Sequence, residues 1–383
     1  MAGKTVAVLG GGWGGLTAAH VLRMLLTEEH RVQLISKSPT FSVPFSNLWV
    51  MTGERSHPKQ GEHDIRGLSA KGIEVIINDV QAVDVQRQRV VTGSAELPYD
   101  YLLVALGADY APETISGFSE AAYNFYDSSE AHRLHSALAE LKEGRVVVLI
   151  TRTPFKCPAA PYEAAFLVDA LLAVQGVREI VEIALYTPEP QPMPVAGRVV
   201  GEALENMLQE RRIAYHPKRT VQRIDAARKQ IEFGDGDKTG FDLLIGVPPH
   251  VAPPAVRGLV GPAGWIPVSS DTMATAQEGI FAIGDVTTIP LKHGLPLPKA
   301  GVFAAAQAEV AARNIAAAVR GQSASETFDG QGFCFIEVAD GLAAYGDGNF
   351  YADPAPAIQL APPSHEYFVR KREWEKNILG SLF

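Results

Sequence analysis

Cysteine is nearly missing from this chain: Cys157 and Cys334 are the only two in 383 residues. Two thiols so far apart make no disulfide framework, and they leave two readings open, inert core residues or a dedicated redox pair. Long apolar runs are missing too. None approaches the length of a membrane span, and the clearest, such as 101–105, are strand-sized. Positive charge is in deficit, with 34 Lys and Arg against 43 Asp and Glu and a formal net charge of −9. That balance argues against a nucleic-acid partner and gives no general pull towards an anionic membrane surface. No secretory segment precedes the first apolar run, so the chain is expected to begin inside the cell or to be already mature. Low complexity is confined to a Pro/Ala stretch at 352–363, read as a linker or edge loop. No metal-ligating set is assigned.

What is present begins at the N-terminus. Val6-Ala7-Val8-Leu9 reads as a buried strand, followed by Gly10-Gly11-Gly12-Trp13-Gly14-Gly15 and an apolar helix over 16–26. This is the G-x-G-x-x-G turn of a dinucleotide site. Gly10 permits the tight turn, Gly12 lets a pyrophosphate reach the backbone, and Gly15 lets helix and strand pack closely. Trp13 and Gly14 fall inside the same turn, whose helix start offers free N–H groups to phosphate. Length and an ordinary globular composition, 46% hydrophobic and 20% charged, suit two or three domains.

A second parallel strand at 31–35 ends in Ser36-Lys37, where an acid usually holds the adenosine ribose. Ser36 can still form that hydrogen bond. The loop 41–47, with two aromatics and a proline before Asn47, is long enough to reach over a cofactor. Strands follow at 73–78, 80–85 and 89–91, then at 101–105 before the small-residue turn at Gly107. A second nucleotide-binding-like unit opens with a strand at 145–150 and continues through 183–186, 214–215, 231–233 and 241–247, with a hairpin turn at 234–236. The turn after its first strand is Thr151-Arg152-Thr153-Pro154-Phe155-Lys156-Cys157-Pro158 and holds no glycine motif. Prolines and a cysteine cannot replace the glycines, which argues against NAD(P)H as electron donor.

Cys157 falls instead at an expected helix start, with Pro158 at the first helical position and Gly176 as the stop. Free helix N–H groups and the Lys156 charge would depress its pKa; the alternative is a buried free thiol. Glu163, nearly two turns on, is near enough to move a proton or is an ordinary helix acid. A short strand at 280–283 ends in Gly284-Asp285, where the glycine admits a phosphate chain and the carboxylate accepts from a hydroxyl; a turn acid is the alternative. Lys299 and Gly301 open a long helix over 302–320. Cys334 lies in an aromatic-flanked strand at 331–336. The basic and aromatic tail around Trp374 either lies on an anionic membrane surface or packs Trp374 inward over a cofactor.

Together these residues resemble the sulfide:quinone oxidoreductase and flavocytochrome c sulfide dehydrogenase family, over nearly the whole chain. The most specific pieces are Cys157-Pro158-Ala159-Ala160-Pro161-Tyr162-Glu163, Val43-Pro44-Phe45-Ser46-Asn47, Val247-Pro248-Pro249, Gly264-Trp265-Ile266-Pro267-Val268, Pro298-Lys299, Cys334 and Trp374-Glu375-Lys376-Asn377-Ile378. The resemblance implies an α/β fold with two Rossmann-like dinucleotide-binding domains and a small C-terminal domain. The expected division is 1–110 and 251–325 for the FAD-binding domain, 111–250 for the second Rossmann-like domain, and 326–383 for the C-terminal one. It also implies FAD, non-covalent here because Val43 stands where the flavocytochrome branch has a flavin-linking cysteine. Gly10, Gly12, Trp13, Gly14, Gly15, Ser36, Lys37, Asn47, Gly107, Gly284, Asp285, Lys299, Gly301 and Trp374 are the residues expected to hold it. Lys299 and the helix start beside it would face the pyrimidine end of the flavin; a solvated lysine is the alternative.

For chemistry, the resemblance implies Cys157 and Cys334 as a redox disulfide attacked by hydrosulfide. Cys157 would hold the persulfide, Cys334 would contact the flavin, and Glu163 would move the proton. Electrons would pass to a quinone at the membrane surface, and the sulfur to a small thiol or a short polysulfide. No cysteine occurs at 124–129, where many quinone-reducing members carry a third, which speaks against long polysulfide growth. The expected place is the cytoplasmic face of the membrane or the cytoplasm, and the periplasm only for a mature form; a homo-oligomer is compatible. A c-type cytochrome as acceptor, an NADH:quinone oxidoreductase, and a flavin-binding protein with inert cysteines are the competing readings.

Overall fold

The first apolar run forms the strand Thr5–Leu9, whose last four residues are buried. It is the centre of a parallel sheet in the computed structural model, which describes residues 3–383. Arg31–Ser36 and then Glu74–Ile77 lie on one side, Tyr101–Val104 and then Ile280–Ala282 on the other. The chain therefore reverses its direction of winding at Thr5–Leu9. The crevice outside that strand's carboxyl end, at Gly10, is where an open α/β sheet takes its ligand.

The second sheet repeats the arrangement. Gly144–Ile150 is its centre, with Val181–Tyr186 and Ile213–His216 on one side and Leu243–Val247 and Ala122–Tyr123 on the other, all parallel. Its crevice opens at the loop from Thr151 to Cys157. Two Rossmann-like units are thus present, followed by an antiparallel sheet of Gln331–Ala339, Leu342–Asn349 and Ala357–Ser364 and the helix His365–Leu382.

Three local differences from the sequence reading have physical causes. The glycine-turn helix is Trp13–Leu25, so Gly14 and Gly15 belong to its first turn. The helix after Cys157 is Ala160–Val174, with Pro161 in its first turn rather than Pro158, and Cys157 precedes it in a left-handed turn at φ 50°. The stretch read as a linker at 352–363 contains most of the strand Ala357–Ser364. Pro362 and Pro363 fall where its pairing with Leu342–Asn349 shifts register, between Ala361 opposite Tyr345 and Ser364 opposite Ala343, so the ladder is already broken where the prolines lack an N–H.

The helices Trp13–Leu25 and Gly301–Val319 pack together through Leu16, Ala19, Leu22, Ala308, Ala312 and Ile315, all buried in one core. Alanine-rich faces allow this close approach, which places both helix starts at the same crevice.

Candidate active site

One cavity of about 1070 Å³ runs from the first glycine turn to both cysteines. It is at the large end for a small-molecule site. At one end Gly10 takes φ 111°, and a Cβ on Gly12 would meet nothing within 4 Å, so that position faces open cavity. Gly14 also lines the space. Gly15 does not: a Cβ there would stand 1.9 Å from the Gly10 carbonyl oxygen, so it serves helix–strand contact. Ser36 and the exposed Lys37 line the cavity, but the Ser36 hydroxyl donates to the Ser38 carbonyl at 2.9 Å.

In the middle, Gly107 and Gly284 line the wall at φ 71° and 70°. The Gly284 N–H donates to Gln307 Oε1 at 2.8 Å. Asp285 Oδ1 is buried with no hydrogen-bond partner among the described residues. Burial pushes this carboxyl up, against the pull of Lys156 and Lys299. An orphaned acceptor of this kind calls for a donor from a ligand. Asn47, expected to reach over the cofactor, is absent from the cavity wall. Its Nδ2 donates to the Tyr126 carbonyl at 3.0 Å and ties two segments together.

Lys299 lines the cavity, yet its Nζ donates to the carbonyls of Asp285 at 2.6 Å and Thr287 at 2.9 Å and lies 3.4 Å over the Trp265 ring. Burial pulls its pKa down to about 8. Gly301 gives room to Trp13, whose ring would be 2.7 Å from a Cβ there. Trp374 points inward, 5.3 Å from Trp13 and stacked on Phe45 at 5.1 Å, and lines the same cavity. Of the two readings of the tail, the inward one describes Trp374.

Cys157 and Cys334 are free thiols that open on this one space. The Cys157 N–H donates to the Lys299 carbonyl at 2.7 Å, and its own carbonyl accepts from Ala160 at 2.9 Å. The expectation of a depressed Cys157 pKa is corrected. Burial, and then the nearby Glu163, push it up to about 12, while Lys371 and the Ala160 N–H pull it down. Desolvation outweighs the helix start because the apolar wall contributes no charge to offset it. Burial likewise raises Cys334.

Glu163 is buried at the cysteine end. Its Oε1 accepts from Lys371 Nζ at 2.5 Å and from the Glu337 N–H at 2.8 Å. Burial pushes the carboxyl up while Lys371 holds it down. Lys371 stands 3.2 Å from Glu337 Oε1, which also accepts from Trp49 Nε1 at 2.8 Å. Glu163 and Glu337 keep Lys371 charged despite its burial. Sequence reasoning missed Lys371 and Glu337. The signal for Lys371 was its place on one helical stripe with Trp374, Glu375, Ile378 and Leu382.

The chain is 25% identical over 372 residues to the mitochondrial sulfide:quinone oxidoreductase of Mus musculus, covering 91% of this chain and 79% of that one. It is 25% identical over 403 residues to the corresponding protein of Dictyostelium discoideum, covering 99% and 86%. Its fold matches the crystal structure of the Aquifex aeolicus sulfide:quinone oxidoreductase with a TM-score of 0.89 at 22% identity, over 99% of this chain and 91% of that one. These are the names the resemblance anticipates. The family profile of the pyridine nucleotide-disulphide oxidoreductases matches residues 4–149 and 164–313, leaving out the segment with Cys157 and Glu163 where the second glycine turn is lacking. With more than half of its length matched, the chain belongs to the pyridine nucleotide-disulphide oxidoreductase family, and it is an oxidoreductase.

Proposed function

We propose that this enzyme oxidises sulfide to zero-valent sulfur through a Cys157–Cys334 redox pair, with FAD as its cofactor and a quinone as electron acceptor. The observation that carries the reading is that both cysteines open on the cavity that also holds the first glycine turn. The names of the relatives support the substrate and the acceptor.

The residues present fit FAD. Gly12 leaves open space for a pyrophosphate, and the orphaned Asp285 Oδ1 suits a hydroxylated chain. Gly10, Gly12 and Gly14 would hold the pyrophosphate and Asp285 the ribityl hydroxyls. Val43 lines the cavity with no sulfur to offer, in keeping with non-covalent binding. FAD held there would accept the two electrons released at the cysteine pair and pass them on to a quinone.

In the oxidised pair, hydrosulfide attacks one sulfur, forms a new S–S bond to Cys157 and releases Cys334 as a thiolate. Glu163 takes the proton that the hydrosulfide brought, its Oε1 already fixed by Lys371 and the Glu337 N–H. A thiolate acceptor then attacks the outer sulfur of the Cys157 persulfide and leaves as its own persulfide. Cys157 is left a thiolate opposite Cys334, and reclosing the disulfide releases two electrons. Trp374 lies 5.7 Å from Phe335, the residue after Cys334, and carries the wall on to Phe45 and Trp13. Among the described residues no helix is long and apolar enough to cross a membrane, so a membrane quinone would be met from the surface.

Anaerobic titration of the purified flavoprotein with sulfide and, separately, with NADH tests the reading. Sulfide should bleach the flavin, NADH should not, and Cys157→Ser should abolish the sulfide response. Bleaching by NADH alone would overturn it. Reoxidation by a soluble quinone analogue, but not by a c-type cytochrome, is the expected acceptor result; the reverse would replace the quinone.

A further inference from the structure

Among the described residues, four lysines and no arginine line the cavity: Lys37, Lys156, Lys299 and Lys371. Lys37 belongs to the far, nucleotide end. Near the cysteines, Lys299 donates to two backbone carbonyls and Lys371 is paired with Glu163 and Glu337. Lys156 differs. It makes no ion pair among the described residues, and its Nζ lies over the rings of Tyr110 at 4.7 Å and Tyr126 at 5.9 Å. It immediately precedes Cys157, in the loop at the carboxyl end of Gly144–Ile150. By the rule for open α/β sheets, that crevice is where the second unit should bind something.

We propose that Lys156, with the faces of Tyr110 and Tyr126, forms a subsite that draws the hydrosulfide anion to Cys157. The proposal rests on the sulfide reading above. An ammonium that the protein does not pair is available to a ligand, and an aromatic cage holds such a cation in place while supplying no counter-ion. The ligand must be small, because Lys156 and the target sulfur belong to adjacent residues. It must be anionic, because every other charge near Lys156 leaves its ammonium unneutralised by direct contact. Burial works against the positive charge, while the Tyr110 hydroxyl, also as a hydrogen-bond partner, and then Asp285 and the Cys157 sulfur support it. His250, edge-on to both tyrosines, is kept neutral by burial and by Lys156 itself, its pKa pulled down to about 3. Glu163 and Lys371 face Cys157 from the other side as a pair. A local positive potential of this kind raises the concentration of a small anion at the reacting atom.

Two alkylating reagents of similar size but different charge read that potential without any sulfide. In the reduced flavoprotein, peptide mapping gives the rate at Cys157 with anionic iodoacetate and with neutral iodoacetamide. Lys156→Met should lower the iodoacetate-to-iodoacetamide ratio about tenfold and Lys156→Arg should preserve it, and the ratio cancels any change in the thiolate fraction of Cys157, which alters both rates alike. Thiocyanate should slow iodoacetate in the wild type and not in Lys156→Met. In turnover, Lys156→Met should raise KM for sulfide with little change in kcat. An unchanged ratio, or a loss of bound flavin without a change in ratio, would overturn the subsite and return Lys156 to the cofactor wall. If Lys156→Met does not fold, failure of thiocyanate to protect the wild type overturns the proposal by itself. A wild type that keeps the charge preference yet is not bleached by sulfide overturns the sulfide reading instead.

Discussion

Lys371 on the C-terminal helix stands 2.5 Å from Glu163 on the helix that follows Cys157, and both side chains are buried. The contact joins the last eighteen-residue helix of the chain to the redox end of the cavity. The same helix brings Arg55 and Glu375 within 2.5 Å and Arg372 and Glu54 within 2.5 Å, closer to the surface. Docking of this helix and the electrostatics of Glu163 are therefore one structural event.

The first prediction concerns that pair. Lys371→Met leaves two buried carboxylates, Glu163 and Glu337, without their shared ammonium. Breaking a buried pair from one side costs about 3–5 kcal/mol. Urea unfolding should show a loss of that size, and Lys371→Met/Glu163→Gln should recover part of it, because the second change removes one unpaired charge. Equal losses in the single and double variants would mean that the ion pair is not what holds the helix.

Two glycines in one turn should separate cofactor binding from folding. A Cβ on Gly12 meets nothing within 4 Å, whereas one on Gly15 meets the Gly10 carbonyl oxygen at 1.9 Å. Gly12→Ala should leave the melting temperature of the flavin-free protein unchanged and weaken flavin binding. Gly15→Ala should lower the melting temperature even without flavin. The comparison needs only thermal unfolding with and without added FAD, and a Gly12→Ala protein that retains flavin as the wild type does would refute the cradle.

Asp285 gives a third test. Its Oδ1 is buried without a partner, so a ligand hydroxyl would supply the missing donor. Loss of a hydrogen bond to a charged group is worth about 1.5–3 kcal/mol, a factor of roughly ten to a hundred in affinity. Asp285→Ala should raise the dissociation constant for FAD by that factor, measured by flavin fluorescence on titration into the stripped protein. In the absence of flavin the same variant should be more stable than wild type, since the burial of this acid outweighs the offsetting charges of Lys156 and Lys299.

How far the sequence reached depends on whether a feature is local. The G-x-G-x-x-G turn and the strands around it were legible because glycine placement and a four-residue apolar run dictate geometry within a dozen residues. The lack of a glycine turn before Cys157 was legible for the same reason. Lys371 was not, since helical periodicity shows which residues share a stripe but not what the stripe meets. A lysine on such a stripe reads as an intruder until Glu163 and Glu337 are seen opposite it. The Cys157 pKa was misjudged because the local argument, a helix start beside Lys156, omits the desolvation imposed by distant segments. Asn47 was misplaced likewise. Its loop lines the cavity through Val43, Pro44 and Phe45, but the partner of the Asn47 amide is Tyr126.

The last prediction concerns pH. Glu189 lines the cavity in the second unit and is 5% exposed, with Oε2 accepting from the Tyr162 hydroxyl at 2.7 Å and from the Thr187 hydroxyl at 3.1 Å. Burial outweighs these donors and pushes its carboxyl from the ordinary 4.5 up to about 7. The folded protein thus binds this proton more tightly than the unfolded chain does. Between those two values folding takes up a proton, so stability is highest below about 4.5 as far as this group is concerned, and falls as pH rises through about 7. A raised pKa of that size corresponds to on the order of 3 kcal/mol across the window. Urea midpoints at pH 5 and pH 8 should therefore differ less in Glu189→Gln than in the wild type, because glutamine keeps an acceptor for Tyr162 and Thr187 but cannot ionise. The variant should be the more stable protein at pH 8 and lose that advantage at pH 5. If the two proteins lose stability in parallel, the carboxyl is already ionised in the fold, and its hydrogen bonds rather than its burial set its charge.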